Sequence, residues 1–515
     1  MIIKSIAMAA ITVACALSVI ECLHMFQLNS YQIKSHINRM KQNPKRQLPN
    51  ILYAVIALGA LPLPNTAKYS YLAIIFAVAA YACRPKKAKK PLVYTPRVRR
   101  QLVTTALLYA AVPIIGMCTH SFDAAAFSAV AYFLLIPLIT LAAGAINKPI
   151  EKSISNGYIN DAKKMLGTMP NMKIIGVTGS YGKTSVKYCL TTLLKAKYNV
   201  LMTPGSYNTP MGVVRTIREH LRPTHEIFVC EMGARHVGDI KEICDIVHPN
   251  DGIITSVGPQ HLETFHTMDN IKKTKFELAD ACEKSGTLFV NTDDENICSM
   301  LGGRKYIGYG LNCKDGYSAQ IDSVSERGTQ FTVTAPNGER CTYNTRLIGA
   351  HNVLNIVGCI AVANTYGISL EKLKPQVRIL EPVPHRLEIK NNGAAVIIDD
   401  AYNSNPSGAK AALDVFGIFD GYKILVTPGM VELGEKQDEC NKEFGKNAAA
   451  VCDYVILVGK KQTESIYAGL ESANYDKSKI FVADNINEAI TKAYAVNSDG
   501  KKKFILLEND LPDNY

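Results

Sequence analysis

Acidic residues are nearly missing from the first 150 positions, where Glu21 and Asp123 stand against 16 Lys and Arg, a local balance of +14. The formal net charge of +12 is therefore local, because residues 151–515 hold 41 of the 57 basic and 43 of the 45 acidic side chains. A nucleic-acid binder carries its basic stripe on a folded domain. Here the excess lies between apolar segments, which excludes nucleic acid as a partner. Also missing is any CxxC pair among the fourteen cysteines, which excludes a zinc ribbon and a dithiol redox motif. A disulfide framework does not suit a chain of this size and cysteine spread. The thiols read instead as small buried hydrophobes in a reducing compartment. The length of 515 residues suggests about three domains.

Long apolar stretches are concentrated in that same acid-poor region, at 6–26, 51–63, 69–83, 102–118 and 122–146. The first, fourth and fifth approach the roughly 20 residues that a spanning helix needs. The second and third are short and form either two short spans or one re-entrant hairpin. Basic residues fill the loops at 34–46 (Lys34, Arg39, Lys41, Lys45, Arg46) and 84–100 (Arg84, Lys86, Lys87, Lys89, Lys90, Arg97, Arg99, Arg100). Positive loops stay cytoplasmic. Five spans put both loops, and everything after Lys148, on the cytoplasmic side of a bacterial membrane. A cleaved signal peptide at 1–22 is disfavoured, because no clean small-residue cleavage site follows the apolar run.

Lys173–Thr178 is apolar and β-branched, the pattern of a short buried strand, and it runs into Gly179-Ser180-Tyr181-Gly182-Lys183-Thr184 and then a helical pattern from Ser185 to Ala196. Strand, glycine turn, Gly-Lys-Thr and helix form a phosphate cradle. Glycines let backbone N–H groups face phosphate, and the helix N-terminus adds partial positive charge. Lys183 is placed to reach the β- and γ-phosphates of ATP, and the Thr184 hydroxyl to ligate Mg²⁺. The spacing departs from the common GxxxxGK[ST] pattern, with Val177 at its first glycine position and Gly176 one residue earlier.

Further motifs follow in order. Strand-like Ile227–Cys230 leads into Glu231-Met232-Gly233-Ala234, and Gly252–Val257 into Gly258-Pro259-Gln260-His261-Leu262-Glu263; Lys275-Phe276-Glu277 lies on an expected helix. Each residue alone has an ordinary reading: a solvated rim Glu, a structural His, a surface Lys. Together with Gly176–Thr184, the series resembles the Mur ligase family over roughly residues 170–515. The resemblance implies ATP binding by Thr178, Gly179, Ser180, Tyr181, Gly182, Lys183, Thr184, Asn291, Asn352, Asn355, Arg386 and Asp400. It implies two Mg²⁺ sites drawing on Thr184, Glu231, His261 and a carbamylated Lys275. Lys183, Lys275, Arg386 and His261 are the expected catalytic residues. Asp400-Ala401-Tyr402-Asn403-Ser404-Asn405-Pro406 is similar to the MurF type, with Asn208, Tyr402, Asn403 and Asn405 toward the substrate, and Val431-Glu432-Leu433-Gly434 fits the same pattern.

That likeness implies an ATP-dependent amide ligase of peptidoglycan precursor synthesis. Its donor is a cell-wall peptide precursor, UDP- or lipid-linked, and its acceptor amine is D-alanyl-D-alanine or similar. The expected architecture is transmembrane α-helices over 1–150, an α/β P-loop domain with a parallel sheet over 151–383, and a smaller Rossmann-like α/β domain over 384–515. Three departures stand out. His385 precedes Arg386 where the family usually has Gly, Leu506-Leu507-Glu508-Asn509-Asp510 lacks the common Lys-Gly-Ser, and membrane spans stand where a soluble UDP-gripping domain is usual. The alternatives are a superfamily ligase for a glycan, polymer or folate-type carboxylate, and an inactive membrane scaffold. Intact Lys183, Glu231, His261 and Lys275 argue against the scaffold.

Overall fold

The computed structural model describes residues 1–42, 48–85, 91–282, 286–391, 393–402, 404–431 and 433–510. Two compact units divide near residue 157. In the first, three helices are long and apolar enough to cross a membrane: Ile2–Leu28, Pro96–Cys118 and the apolar part of Phe122–Gly167. At 1.5 Å per residue, Ile2–Leu28 extends about 40 Å, more than a hydrocarbon core of about 30 Å. Leu48–Ala60 is apolar but shorter, and Asn65–Ala82 starts with the polar Asn65, Thr66 and Lys68.

Among the described residues few polar groups are buried between these helices, and several of them pair across helices. The Asn50 amide donates to Ser18 Oγ (2.8 Å) and to the Phe133 carbonyl (2.8 Å), and Tyr132 donates to the Thr105 carbonyl (2.7 Å). Asp123 takes Lys68 at 2.9 Å and the Tyr69 hydroxyl. Arg100 grips Glu151 with two donors at 2.6 and 2.9 Å. In an apolar medium an unpaired group of this kind costs several kcal/mol, so these contacts fix which helices meet.

The second unit holds two sheets. The larger has strand order β2-β3-β1-β4-β5-β6-β7-β8-β9. Its strands are β1 (Lys173–Thr178), β2 (Val200–Met202), β3 (Ile227–Glu231), β4 (Asp251–Ile254), β5 (Leu288–Asn291), β6 (Ile307–Gly310), β7 (Gly316–Ser325), β8 (Gly328–Thr334) and β9 (Arg340–Thr345). Pairing is parallel from β2 through β7. An antiparallel meander β7-β8-β9 extends it, so the expected parallel sheet is a mixed one. The meander strands alternate buried with exposed residues, as in Arg340–Thr345, because only one of their faces is covered. β1 is buried from Ile174 to Thr178. Its Ile174, Ile175 and Val177 contribute about 1.5–3 kcal/mol each through burial.

The smaller sheet has order β10-β11-β15-β12-β13-β14, from β10 (Glu388–Asn391), β11 (Val396–Asp400), β12 (Tyr422–Thr427), β13 (Tyr454–Val458), β14 (Ile480–Ala483) and β15 (Lys503–Glu508). All of its pairs are parallel except β10 with β11. In both sheets the crevice at the carboxyl ends of parallel strands is where an open α/β fold collects ligands.

Candidate active site

The phosphate loop leaves β1 at Thr178 and enters the helix Lys183–Leu194. Gly179 adopts φ +151°, and a Cβ there would sit 2.0 Å from Thr255 Oγ1. Gly182 adopts φ +79°, with Asn355 Oδ1 2.8 Å from where its Cβ would be. Neither position tolerates a side chain, for conformational and steric reasons together. The β4 loop buttresses the turn: Ser180 N donates to the Ser256 carbonyl (2.7 Å), Tyr181 N to Ser256 Oγ (2.9 Å), and Thr255 Oγ1 to the Tyr181 carbonyl (2.5 Å). Lys183 Nζ bonds the loop carbonyls of Gly179 (2.6 Å) and Ser180 (2.9 Å).

Glu231, at the end of β3 and only 1% exposed, organises the centre of the site. Its Oε1 accepts from Thr184 Oγ1 (3.1 Å) and Asn208 Nδ2 (3.0 Å). Its Oε2 forms an ion pair with Lys187 Nζ at 3.1 Å, an approach without hydrogen-bond geometry. Lys187 is fully buried and also donates to the Gly205 carbonyl (2.5 Å). Sequence reasoning missed Lys187. The available signal was its spacing: it lies four residues after Lys183 and therefore on the same helix face.

Cations outnumber anions in this cluster. Burial, opposed by Glu231 and helped by Arg386, brings the Lys183 ammonium down to about 8, and burial likewise lowers Lys187. Arg386 reaches this group from the segment that joins the two sheets. Its guanidinium lies 4.7 Å over the Tyr402 ring, and the Tyr402 hydroxyl contacts Ser206 Oγ on the other side. Three cations facing one carboxylate match a polyanion such as a nucleotide triphosphate. The hard oxygen donors Thr184 and Glu231 suit Mg²⁺, and the loop that excludes Cβ atoms suits phosphate.

Lys275, on the helix Met268–Cys282, is 2% exposed. Burial first, and then Lys183, push it well below the ordinary lysine range. His261 has φ +53° and caps the short helix Leu262–Phe265. It lines a small cavity with Pro259, Gln260, Ser404, Asn405, Val431 and Leu433.

Other expected residues make structural contacts. Asn291 Nδ2 donates to the Thr255 carbonyl (3.1 Å) and Asn352 Nδ2 to the Ile348 carbonyl (2.9 Å). Asn405 caps the helix Pro406–Gly417 by accepting from Gly408 N (2.9 Å). Asn208 serves Glu231, while Tyr402 is 46% exposed. Asn403 lies outside the described residues. Asp400 Oδ1 accepts from Leu387 N (3.1 Å). The structure also accounts for His385, which has φ +60°, a conformation a glycine takes freely. Its Nδ1 lies 2.8 Å from Asp399 Oδ2, a contact no glycine supplies.

Two family models match within this unit: the Mur ligase middle domain over 177–363, and the Mur ligase glutamate ligase domain over 385–507. The UDP-N-acetylmuramoyl-tripeptide–D-alanyl-D-alanine ligase of Escherichia coli is 30% identical over 329 residues, 61% of this chain and 72% of that protein. The chain belongs to the Mur ligase family. As a Mur ligase it is an ATP-dependent ligase of peptidoglycan precursor synthesis. The Bacillus subtilis ligase of the same name is 33% identical over 297 residues, 57% of this chain and 62% of that one. Among solved structures, MurF of Thermotoga maritima in complex with ADP superposes with TM-score 0.61 at 26% identity, covering 70% of this chain and 81% of that one. MurF of Acinetobacter baumannii gives 0.63 at 24% identity, over 69% and 77%, and supports the fold.

Proposed function

We propose that this chain couples D-alanyl-D-alanine to the free carboxylate of a muramoyl-tripeptide precursor, from a multi-pass membrane anchor with its catalytic domains in the cytoplasm. The observation that carries the chemistry is the Thr184–Glu231–Lys187 cluster beside a phosphate loop, joined by Arg386 from the segment that links the two sheets. An amide cannot form from a carboxylate until its oxygen becomes a better leaving group. The donor carboxylate therefore attacks the γ-phosphate of ATP, giving an acyl phosphate and ADP. Lys183 and Arg386 offset the charge of two approaching anions and hold the transferring group in line. The amine then adds to the acyl carbon, and phosphate leaves.

Thr184 and Glu231 would hold one Mg²⁺, and His261 with carbamylated Lys275 a second; bound there, the metal supplies charge neutralisation at the phosphates. Lys275 suits carbamylation because burial shifts it toward the uncharged amine, the form that adds to CO₂. The carbamate then presents oxygen donors. The anchor reading rests on the three long apolar helices. Whether the pair Leu48–Ala60 and Asn65–Ala82 crosses twice or re-enters, both basic loops stay on one side, so the topology does not depend on the span count. The anchor would bring the ligase to lipid-linked precursor or to the membrane-bound wall machinery.

The test is mass spectrometry of the products made by the full chain in detergent from ATP, UDP-linked or lipid-linked muramoyl-tripeptide, and a panel of amines. A mass gain of one D-alanyl-D-alanine on the donor, with stoichiometric ADP, is expected. A product with another amine only would reassign the acceptor.

A further inference from the structure

The end of β15 carries a buried carboxyl that the chemistry above does not use. Glu508 is 1% exposed, and its register partner on β11 is Asp400. Ser404 Oγ donates to Glu508 Oε1 at 2.5 Å, while Oε2 is buried without a protein donor. Glu508 is buried and Asp400 half-buried beside it, and charge on one carboxyl disfavours charge on the other, so the pair holds a shared proton. Among the described residues Asp400 is the one charged group acting on Glu508. Asp400 in turn feels Arg386 and Asp399. Arg386 favours charge on Asp400, so the resting proton belongs on Glu508. Burial and Asp400 raise Glu508 well above the usual carboxylate range, and burial brings Asp400 to about 6.

Ser404 is the link between this pair and the outside, because it lines the cavity shared with His261 and Asn405. Its loop is fixed: Ser404 N donates to Asn509 Oδ1 (3.0 Å), and Asn509 Nδ2 to the Gly429 carbonyl (2.6 Å). A hydroxyl is the side chain that can receive a proton on one side while giving one on the other.

We propose that Ser404, Glu508 and Asp400 form a proton relay that takes the proton from the acceptor's ammonium before it attacks. This deepens the ligase reading and rests on it. The ammonium gives a proton to Ser404 Oγ as the hydroxyl proton of Ser404 passes to Glu508 Oε1. The proton already on Glu508 Oε2 moves to Asp400. The pair thus goes from one proton to two, and the amine nitrogen is left with its lone pair. After C–N bond formation the second nitrogen proton leaves with the departing phosphate, and the pair returns its extra proton to water. Ser404 is the group that touches substrate, and Glu508 and Asp400 act through it.

The test separates acyl transfer to an ammonium from acyl transfer to a nucleophile that is already neutral. The full chain is given ATP and UDP-linked muramoyl-tripeptide with either D-alanyl-D-alanine or hydroxylamine, between about pH 6 and 9. In Glu508→Gln and in Ser404→Ala, amide formation near pH 7 should fall about 10²-fold and recover as pH rises and free amine accumulates. Hydroxamate formation should stay within about twofold of wild type, which also reports that the variants are folded. Amide formation with the wild-type pH profile in either variant would overturn the relay. So would equal losses of amide and hydroxamate, which would make these residues structural. Absence of hydroxamate from the wild type would overturn the ligase reading, and the relay with it.

Discussion

The carboxyl ends of the two sheets bury charge of opposite sign. At the ends of β1 and β3, Lys183 and Lys187 surround Glu231, and Arg386 adds to them. At the ends of β11 and β15, Asp400 and Glu508 lie together under Ser404. The topology is the same in both places, strands delivering side chains to an open crevice. On the proposed reading each end is charged for its cargo, the first for phosphates and the second for an amine that arrives protonated.

Removing the positive end should do the most damage. Lys183→Met takes away the cation at the transferring phosphoryl group, and ligation should fall by about 10³-fold or more, with thermal stability retained. Lys275→Ala should also abolish ligation, measured as ADP release. Short carboxylic acids added to the variant should restore part of it by standing in for the carbamate, and a normal rate without added acid would remove Lys275 from the mechanism. Lys187→Met leaves Glu231 buried without its ion-pair partner, which is expected to cost about 3–5 kcal/mol, the usual penalty for breaking a buried pair. A melting temperature unchanged in the metal-free protein would show that Lys187 does not hold Glu231.

The negative end should act on stability as a function of pH. Its carboxyls have folded pKa values raised above their unfolded ones, so the stability they contribute is complete below about pH 4. That stability falls as pH rises through the Asp400 value of about 6. Glu508→Gln removes one acid of the pair, so its melting temperature relative to wild type should be higher at pH 8 than at pH 4. The reverse order would mean that the two carboxyls do not share a proton. The smallest effect is at His385→Gly, where relief of a positive φ is offset by loss of the Asp399 contact; a net change within about 1 kcal/mol in chemical denaturation is expected.

The positive end was the more legible from sequence. A β-branched run followed by Gly-Ser-Tyr-Gly-Lys-Thr constrains backbone and chemistry together, and β1 and its helix lie within two residues of where the pattern puts them. Glu231, His261 and Lys275 follow from motif order. The partners that tune them do not, because Lys187 meets Glu231 across 44 residues and Ser404 meets Glu508 across 104. Pairing at such separations is decided by strand order, which the sequence leaves open. The asparagines that the motifs single out also hold backbone in place. Asn291, Asn352 and Asn405 look chemical in a motif, yet their amides hold backbone groups that burial would otherwise leave unpaired. In the first unit the apolar runs locate the helices but not their contacts, since Asn50 selects its neighbours through single hydrogen bonds.

The claim that joins the two ends is that the donor carboxylate is phosphorylated before the amine attacks. Donor tripeptide labelled with oxygen-18 in its free carboxylate tests it directly, with the full chain, ATP and D-alanyl-D-alanine. One labelled oxygen should appear in each phosphate released, because the carboxylate oxygen that attacked ATP leaves with the phosphoryl group. Unlabelled phosphate alongside amide product would contradict the acyl phosphate, and with it the roles of Lys183, Arg386 and the Ser404 relay.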